Sequence, residues 1–198
     1  MDDISKINTY LSFLLSQEGY VFYGKICNSF RDKNLFRNFL KDWLTVRCDG
    51  KIPDDNELSA QFVVCFEKFF RLRGEQKLLM EIAKYAKYFL RLTCADFKTE
   101  QIREKMEEIN SLGAFDAYPF LMEVMDDVEN KRIDEEILSV ILTTVLSLIQ
   151  MRNSNSMNAI TRNFAQLSAD VNRMLALRAY SPKIIKETDE SEYDSISG

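Results

Sequence analysis

An all-α fold, an irregular bundle of about eight to nine helices, is what this 198-residue sequence predicts, and three observations carry the expectation. Apolar residues recur at three- and four-residue spacing along most of the chain, which sets them on one stripe of a helix. Only 6 Gly and 3 Pro occur, too little turn chemistry for a sheet of many strands, which needs a reversal every ~8 to 12 residues. The 46% hydrophobic content is ample for a packed core.

Residues 3–17 place Ile4, Ile7, Leu11, Leu14 and Leu15 on one stripe, with Glu18 and Gly19 read as the stop. A second helix is expected over 20–30 with Phe22, Ile26 and Phe30 inward, and a third over 34–46 with Leu35, Phe36, Phe39, Leu40, Trp43 and Leu44 inward. Asp32 or Asn34 suits its N-cap. Residues 48–53 read as a loop, with Pro53 placed where a fourth helix begins, carrying Leu58, Phe62, Val63, Phe66 and Phe69. Gly74 separates it from a long fifth helix over 75–93, and the two read as an antiparallel hairpin. Thr99 is the expected cap of a helix bearing Ile102, Met106 and Ile109, stopped by Gly113. Asp116 is the expected cap of the next, with Pro119 in its first turn and Phe120, Leu121, Val124, Met125 and Val128 on its core face. Asp134 caps the most apolar helix, 137 to about 151, which is hydrophobic around most of its circumference and is therefore expected at the centre. A last long helix is expected over about 157–179.

Residues 1–180 read as one helical domain, and 181–198 as an acidic tail, poorly ordered or the start of a linker. Residues 187–198 hold Glu187, Asp189, Glu190, Glu192 and Asp194 and no base, whereas residues 150–186 hold 6 bases against 1 acid in a chain of net charge −5. Cys27, Cys48, Cys65 and Cys94 form no C-x-x-C pair and read as free thiols of a reducing compartment. No secretory leader is recognisable, and the longest uncharged stretch, 137–151, is shorter than the ~20 residues a bilayer span requires. A cytoplasmic location without membrane association is expected. Histidine is absent, which excludes His-dependent triads and His-ligated zinc within these residues, and no phosphate-cradling glycine motif occurs. No catalytic, cofactor-binding or metal-binding residue is assigned, and no cofactor is expected.

Three groups of residues invite a functional reading. The aromatic set Phe62, Phe66, Phe69, Phe70, Tyr85, Tyr88 and Phe89 has base-stacking chemistry, yet its helical spacing favours core packing. Glu100, Glu104, Glu107 and Glu108 resemble a carboxylate metal cluster, but without a His partner or an apolar surround they read as a solvated helix face. Arg152, Asn155, Asn158 and Arg162 are the candidates for nucleic-acid contact, since phosphates reward clustered arginine and Asn158 and Arg162 stand i to i+4. Pairing of these arginines with acidic neighbours is the blander reading, and the acidic pI of about 5.0 favours it.

Two stretches resemble a known family. Phe39-Leu40-Lys41-Asp42-Trp43-Leu44-Thr45, followed by Gly50-Lys51-Ile52-Pro53 and then the phenylalanines of 62–70, is similar to the FLRDYLT…GKIP…F…YF pattern in the helical region of GmrSD-like modification-dependent (type IV) restriction proteins. Leu112-Gly113, Tyr118-Pro119-Phe120-Leu121 and Ile133-Asp134-Glu135-Glu136 resemble the block that closes the same region. Met151-Arg152, Asn155-Ser156-Met157-Asn158 and Phe164-Ala165 stand near the family's next signature, with Met151 in place of the first of its two arginines. The likeness covers about residues 35–165.

What the resemblance implies is a part of a larger protein. Family members carry an N-terminal ParB-like domain with a D-G-Q-[QR]-R motif, and many add a C-terminal His-Asn-His nuclease. Neither motif occurs here. The expectation is a non-catalytic helical scaffold whose partners are the catalytic domains of the same parent protein and, weakly, DNA. The alternative is a stand-alone helical adaptor binding another protein, and the oligomeric state is left open.

Overall fold

The computed structural model describes residues 2–48, 53–54 and 56–152, the last two of these by their backbone alone. Among the described residues there are eight α-helices, one turn of 3-10 helix and no strand. The helices are α1 (Asp3–Leu14), α2 (Gln17–Asn28), α3 (Lys33–Arg47), α4 (Leu58–Arg73), α5 (Glu75–Thr93), α6 (Glu100–Ser111), α7 (Tyr118–Glu129) and α8 (Glu135–Arg152), with the 3-10 turn Phe115–Ala117 leading into α7. The helix expected over 157–179 and the tail lie outside the described residues.

Helices α3, α5 and α7 pack on one another and form the centre. Helices α1 and α4 cover α3, α2 lies on α5, and α6 pairs with α8, which also touches α7. The expectation that the most apolar helix is central is corrected. Helix α8 buries Leu138, Leu142, Val145, Leu146 and Ile149 but leaves Ile137 and Val140 exposed among the described residues, so it is an outer helix. Helix α7 has the buried position instead, with nine of its 12 residues inaccessible, including the carboxylates Glu123 and Asp127. Mean apolarity ranks how much a helix is able to bury, whereas neighbours on both sides decide what it does bury.

Helix ends follow local chemistry, with three corrections. Asp2, Asp32 and Asp134 accept from the backbone N–H of Ser5, Leu35 and Ile137, the donors left orphaned in a first turn. Thr99 sits at the N-cap of α6 but caps nothing, because its hydroxyl donates to Glu135 of α8. Asp116 does not cap α7, since it lies inside the 3-10 turn and Ala117 is the N-cap. Gly19 ends no helix; it lies in the first turn of α2, which starts at the Ser16 cap. The Glu75 carboxylate of α5 reaches the same place, accepting from Ser16 N at 3.1 Å and from the Ser16 hydroxyl. A Cβ on residue 19 would collide with that carboxylate, so glycine leaves room for an anion at the positive end of α2.

Helices α5, α6 and α7 all stop on a left-handed residue, Ala95 (φ 49°), Gly113 (φ 65°) and Lys131 (φ 56°). In each case the next N–H turns back to a carbonyl of the last helical turn: Asp96 to Arg91, Ala114 to Ile109, Arg132 to Asp127. Two further corrections concern side chains and starts. Tyr23, not Phe22, is the buried ring of α2, and α4 begins at Leu58 rather than directly at Pro53.

Candidate functional site

Two concave features use side chains that the core does not need. The first is a cavity of about 370 Å³ between α3, α5 and the corner where the 3-10 turn enters α7. From α3 come Asn38, Lys41, Asp42 and Thr45, from α5 Phe89 and Thr93, and from the corner Phe115, Asp116, Tyr118 and Pro119. Asn110 of α6 fixes that corner: its amide nitrogen donates to the carbonyls of Leu92 (3.0 Å) and Thr93 (3.2 Å), and its carbonyl accepts from the Tyr118 hydroxyl at 2.7 Å. The last carbonyls of α5 are thereby satisfied by a side chain that also anchors the first residue of α7. The Tyr118 ring packs nearly perpendicular to Phe89 (5.4 Å, 74°) and to Phe115 (5.6 Å, 83°), an edge-to-face arrangement that suits the ring quadrupoles.

Asp42 is half-buried in this wall. Loss of solvation pushes its pKa well above the ordinary 3.8; Lys41 opposes the rise and the Asp116 carboxylate adds to it. A carboxyl raised in the folded state binds more protons than it does in the unfolded chain over the window above 3.8, so its contribution to stability falls as pH rises through that window. Asp42→Asn removes the penalty. The melting temperature of the variant is expected to equal that of the wild type near pH 4 and to exceed it at pH 7, by roughly 2 to 4 °C per kcal/mol removed. Identical pH profiles for the two proteins would count against the buried position of this carboxyl.

The second feature is a polar cleft of about 420 Å³ between the C-terminal end of α3, α5 and α7, lined by Arg47, Glu81, Lys84, Tyr85, Glu123 and Asp126 among others. Its charges answer one another. Arg47 Nε lies 2.7 Å from Glu81 Oε1, close but off the axis of an aligned hydrogen bond, and its guanidinium stacks 4.6 Å over the Tyr85 ring. Arg73 completes the pairing of Glu81. Tyr85 donates to Glu123 at 3.0 Å, Lys84 pairs with Asp126, and Arg132 bonds Asp127 at 2.8 Å. Burial drives the Tyr85 phenol above its usual range, against the pull of Arg47 and with help from Glu123, so it stays a donor. Charges paired in this way tie α3, α5 and α7 to one another.

The sites singled out in the sequence fare unevenly. Phe62, Phe66, Tyr85, Tyr88 and Phe89 are buried, and Phe69 and Phe70 partly so, which is core packing. Glu100, Glu104, Glu107 and Glu108 are all exposed on the outer face of α6. The Arg152 side chain, Asn155, Asn158 and Arg162 lie outside the described residues. Spacing gave no sign of the Asp42 cavity, because its carboxylates stand far apart in the chain. The resemblance did touch it: Lys41, Asp42 and Thr45 belong to its first stretch, Tyr118 and Pro119 to its second, and the fold brings both to one wall.

No helix of the described residues is long and apolar enough to cross a membrane. Comparison of the chain with protein-family models, with curated proteins and with solved structures finds no match. What fold and site define is a class, an all-α helical bundle, in which the buried carboxylates Glu123 and Asp127 are paired with Tyr85 and Arg132 among the described residues.

Proposed function

We propose that this chain is the non-catalytic helical part of a larger DNA-restriction protein of the GmrSD-like kind, a scaffold that positions catalytic domains of the same protein, or DNA, relative to one another. One observation carries the reading. The residues that bear the resemblance include buried residues of two helices that pack on each other: Phe39, Leu40, Trp43 and Leu44 of α3, and Tyr118 and Leu121 of α7. A likeness concentrated in packing residues supports a shared helical body rather than a shared catalytic centre. The internal pairing of Glu81, Glu123 and Asp127 supports the same reading.

Protein contact is favoured over DNA contact, because an acidic chain repels phosphate. Where DNA is touched, Arg152, Asn155, Asn158 and Arg162 are the contacts proposed. A groove between α2 and α5, with Phe22, Ile26 and Leu90 in its floor and Lys25, Lys87 and Arg91 on its rim, is the kind of apolar surface a partner domain covers.

The test is direct. Purified protein incubated with plasmid DNA, magnesium and nucleoside triphosphates is expected neither to nick DNA nor to release phosphate. Its binding to duplex DNA is expected to be weak and to vanish by about 0.2 M salt. Metal-dependent cleavage that survives repurification and disappears with one acidic substitution overturns the reading. A reading frame closed by stop codons on both sides of this segment would favour the stand-alone adaptor instead.

A further inference from the structure

We propose that the cavity between α3, α5 and the corner entering α7 binds a small organic cation, an ammonium or guanidinium group carried on a short apolar chain. Its volume of about 370 Å³ lies in the range of small-molecule sites, roughly 300 to 1,000 Å³. Two kinds of wall meet there. One is aromatic: Phe89 and Phe115 flank Tyr118 at nearly right angles, so the three rings bound a corner rather than a flat stack. Ring faces attract cations, and more strongly where water is excluded. The other wall is acidic, with Asp42 from α3 and Asp116 from the 3-10 turn beside Lys41. Among the described residues no hydrogen bond to the Asp42 carboxylate is formed.

The chemistry discriminates between ligand classes. Two carboxylates repel a phosphate or an acidic peptide. A hard metal ion asks for about six oxygens, and no group of three or more ligating side chains stands together among the described residues. An organic cation uses both walls at once, since its charge answers Asp42 while its carbon atoms cover Phe115, the exposed one of the three rings, with Phe89 and Tyr118 buried behind it. The groups of charge or titration that face Asp42 are Lys41 on its own helix, Asp116 on the 3-10 turn and Tyr118 on α7. Loss of solvation raises the Asp42 pKa, and a cation bound beside the carboxylate favours its ionised form, so affinity rises with pH.

Calorimetric titration of the full chain with choline, with butylguanidinium and with 3,3-dimethylbutan-1-ol, the uncharged isostere of choline, tests the proposal. Expected is saturable binding of at least one of the two cations at millimolar concentration or tighter, about tenfold or more above the alcohol, and strengthening from pH 5 to pH 8. Asp42→Asn keeps shape and removes charge, and is expected to lower the cation affinity about tenfold while leaving the alcohol unchanged. Phe115 is 53% exposed at the mouth, so Phe115→Ala leaves the fold intact by melting temperature and is expected to weaken cation binding severalfold. Absence of saturable binding by both cations, affinity equal to that of the alcohol, or unchanged affinity in Asp42→Asn with the fold retained would each overturn it. None of these outcomes bears on whether the chain is a scaffold.

Discussion

Arg47→Met is expected to lower the unfolding free energy by about 3 to 5 kcal/mol, measured by urea denaturation at neutral pH. Methionine keeps the length of the stem and much of the packing over Tyr85, so what is lost is the charge. Arg47 and Glu81 are both sheltered, with side chains 17% and 13% exposed, and screening by water and salt is correspondingly weak. Glu81 keeps the more exposed Arg73 but loses its sheltered partner, and the Arg47 charge that Tyr85 and Glu123 also feel is gone. The cost is that of a sheltered carboxylate left with less compensation, not of one lost contact. Two controls separate these accounts. Lys87 and Glu129 stand 4.0 Å apart with both side chains largely in water, and Lys87→Met is expected to cost no more than about 0.5 kcal/mol. Arg47→Met combined with Glu81→Leu removes both partners and is expected to recover most of the loss. If Arg47→Met and Lys87→Met cost the same, the cleft is solvated and its network is not a structural device.

How much of this was legible in the sequence depends on the range of the interaction. Helix α5 matches its expected bounds, because Gly74 ends the preceding periodic run and Leu78, Leu79, Ile82, Tyr85, Ala86, Phe89 and Leu92 keep one face along most of the helix. The turn at Gly113 was legible because glycine advertises a left-handed conformation, whereas Ala95 and Lys131 adopt the same conformation with nothing in their chemistry to announce it. Gly19 was misread for a related reason. Its lack of a side chain signals a break when read alone, but here it makes room for Glu75, 56 positions further on. The buried carboxylates Glu123 and Asp127 interrupt an apolar face without disturbing its period, and the Tyr85 that satisfies Glu123 comes from another helix. The cavity is the limiting case, since Asp42 and Asp116 meet only after α3 and α7 have packed. Helical periodicity reports which side of a helix faces in, and is silent on which helix it meets.

The packing of those central helices makes the second large prediction. Phe39→Ala is expected to cost about 3 to 5 kcal/mol, the range for removing a fully buried phenylalanine from a core that relaxes only in part. The Phe39 ring is inaccessible and touches three others, Phe30 at 5.2 Å, Phe36 at 6.0 Å and Phe89 at 5.7 Å. Through Phe89 the cluster continues to Tyr118 and so joins the segment after α2, then α3, α5 and α7. Because the ring neighbours come from three stretches of chain, no single side chain is able to fold over and fill the hole, which places the cost toward the upper end. Phe39→Leu retains most of the volume and is expected to cost less than about 1.5 kcal/mol. Phe13, 86% exposed on α1, is the apolar control, and Phe13→Ala is expected to lie within about 0.5 kcal/mol of the wild type. Should Phe39→Ala behave like Phe13→Ala, α3 is not the helix around which the others pack, and the wall that carries Asp42 has lost its support.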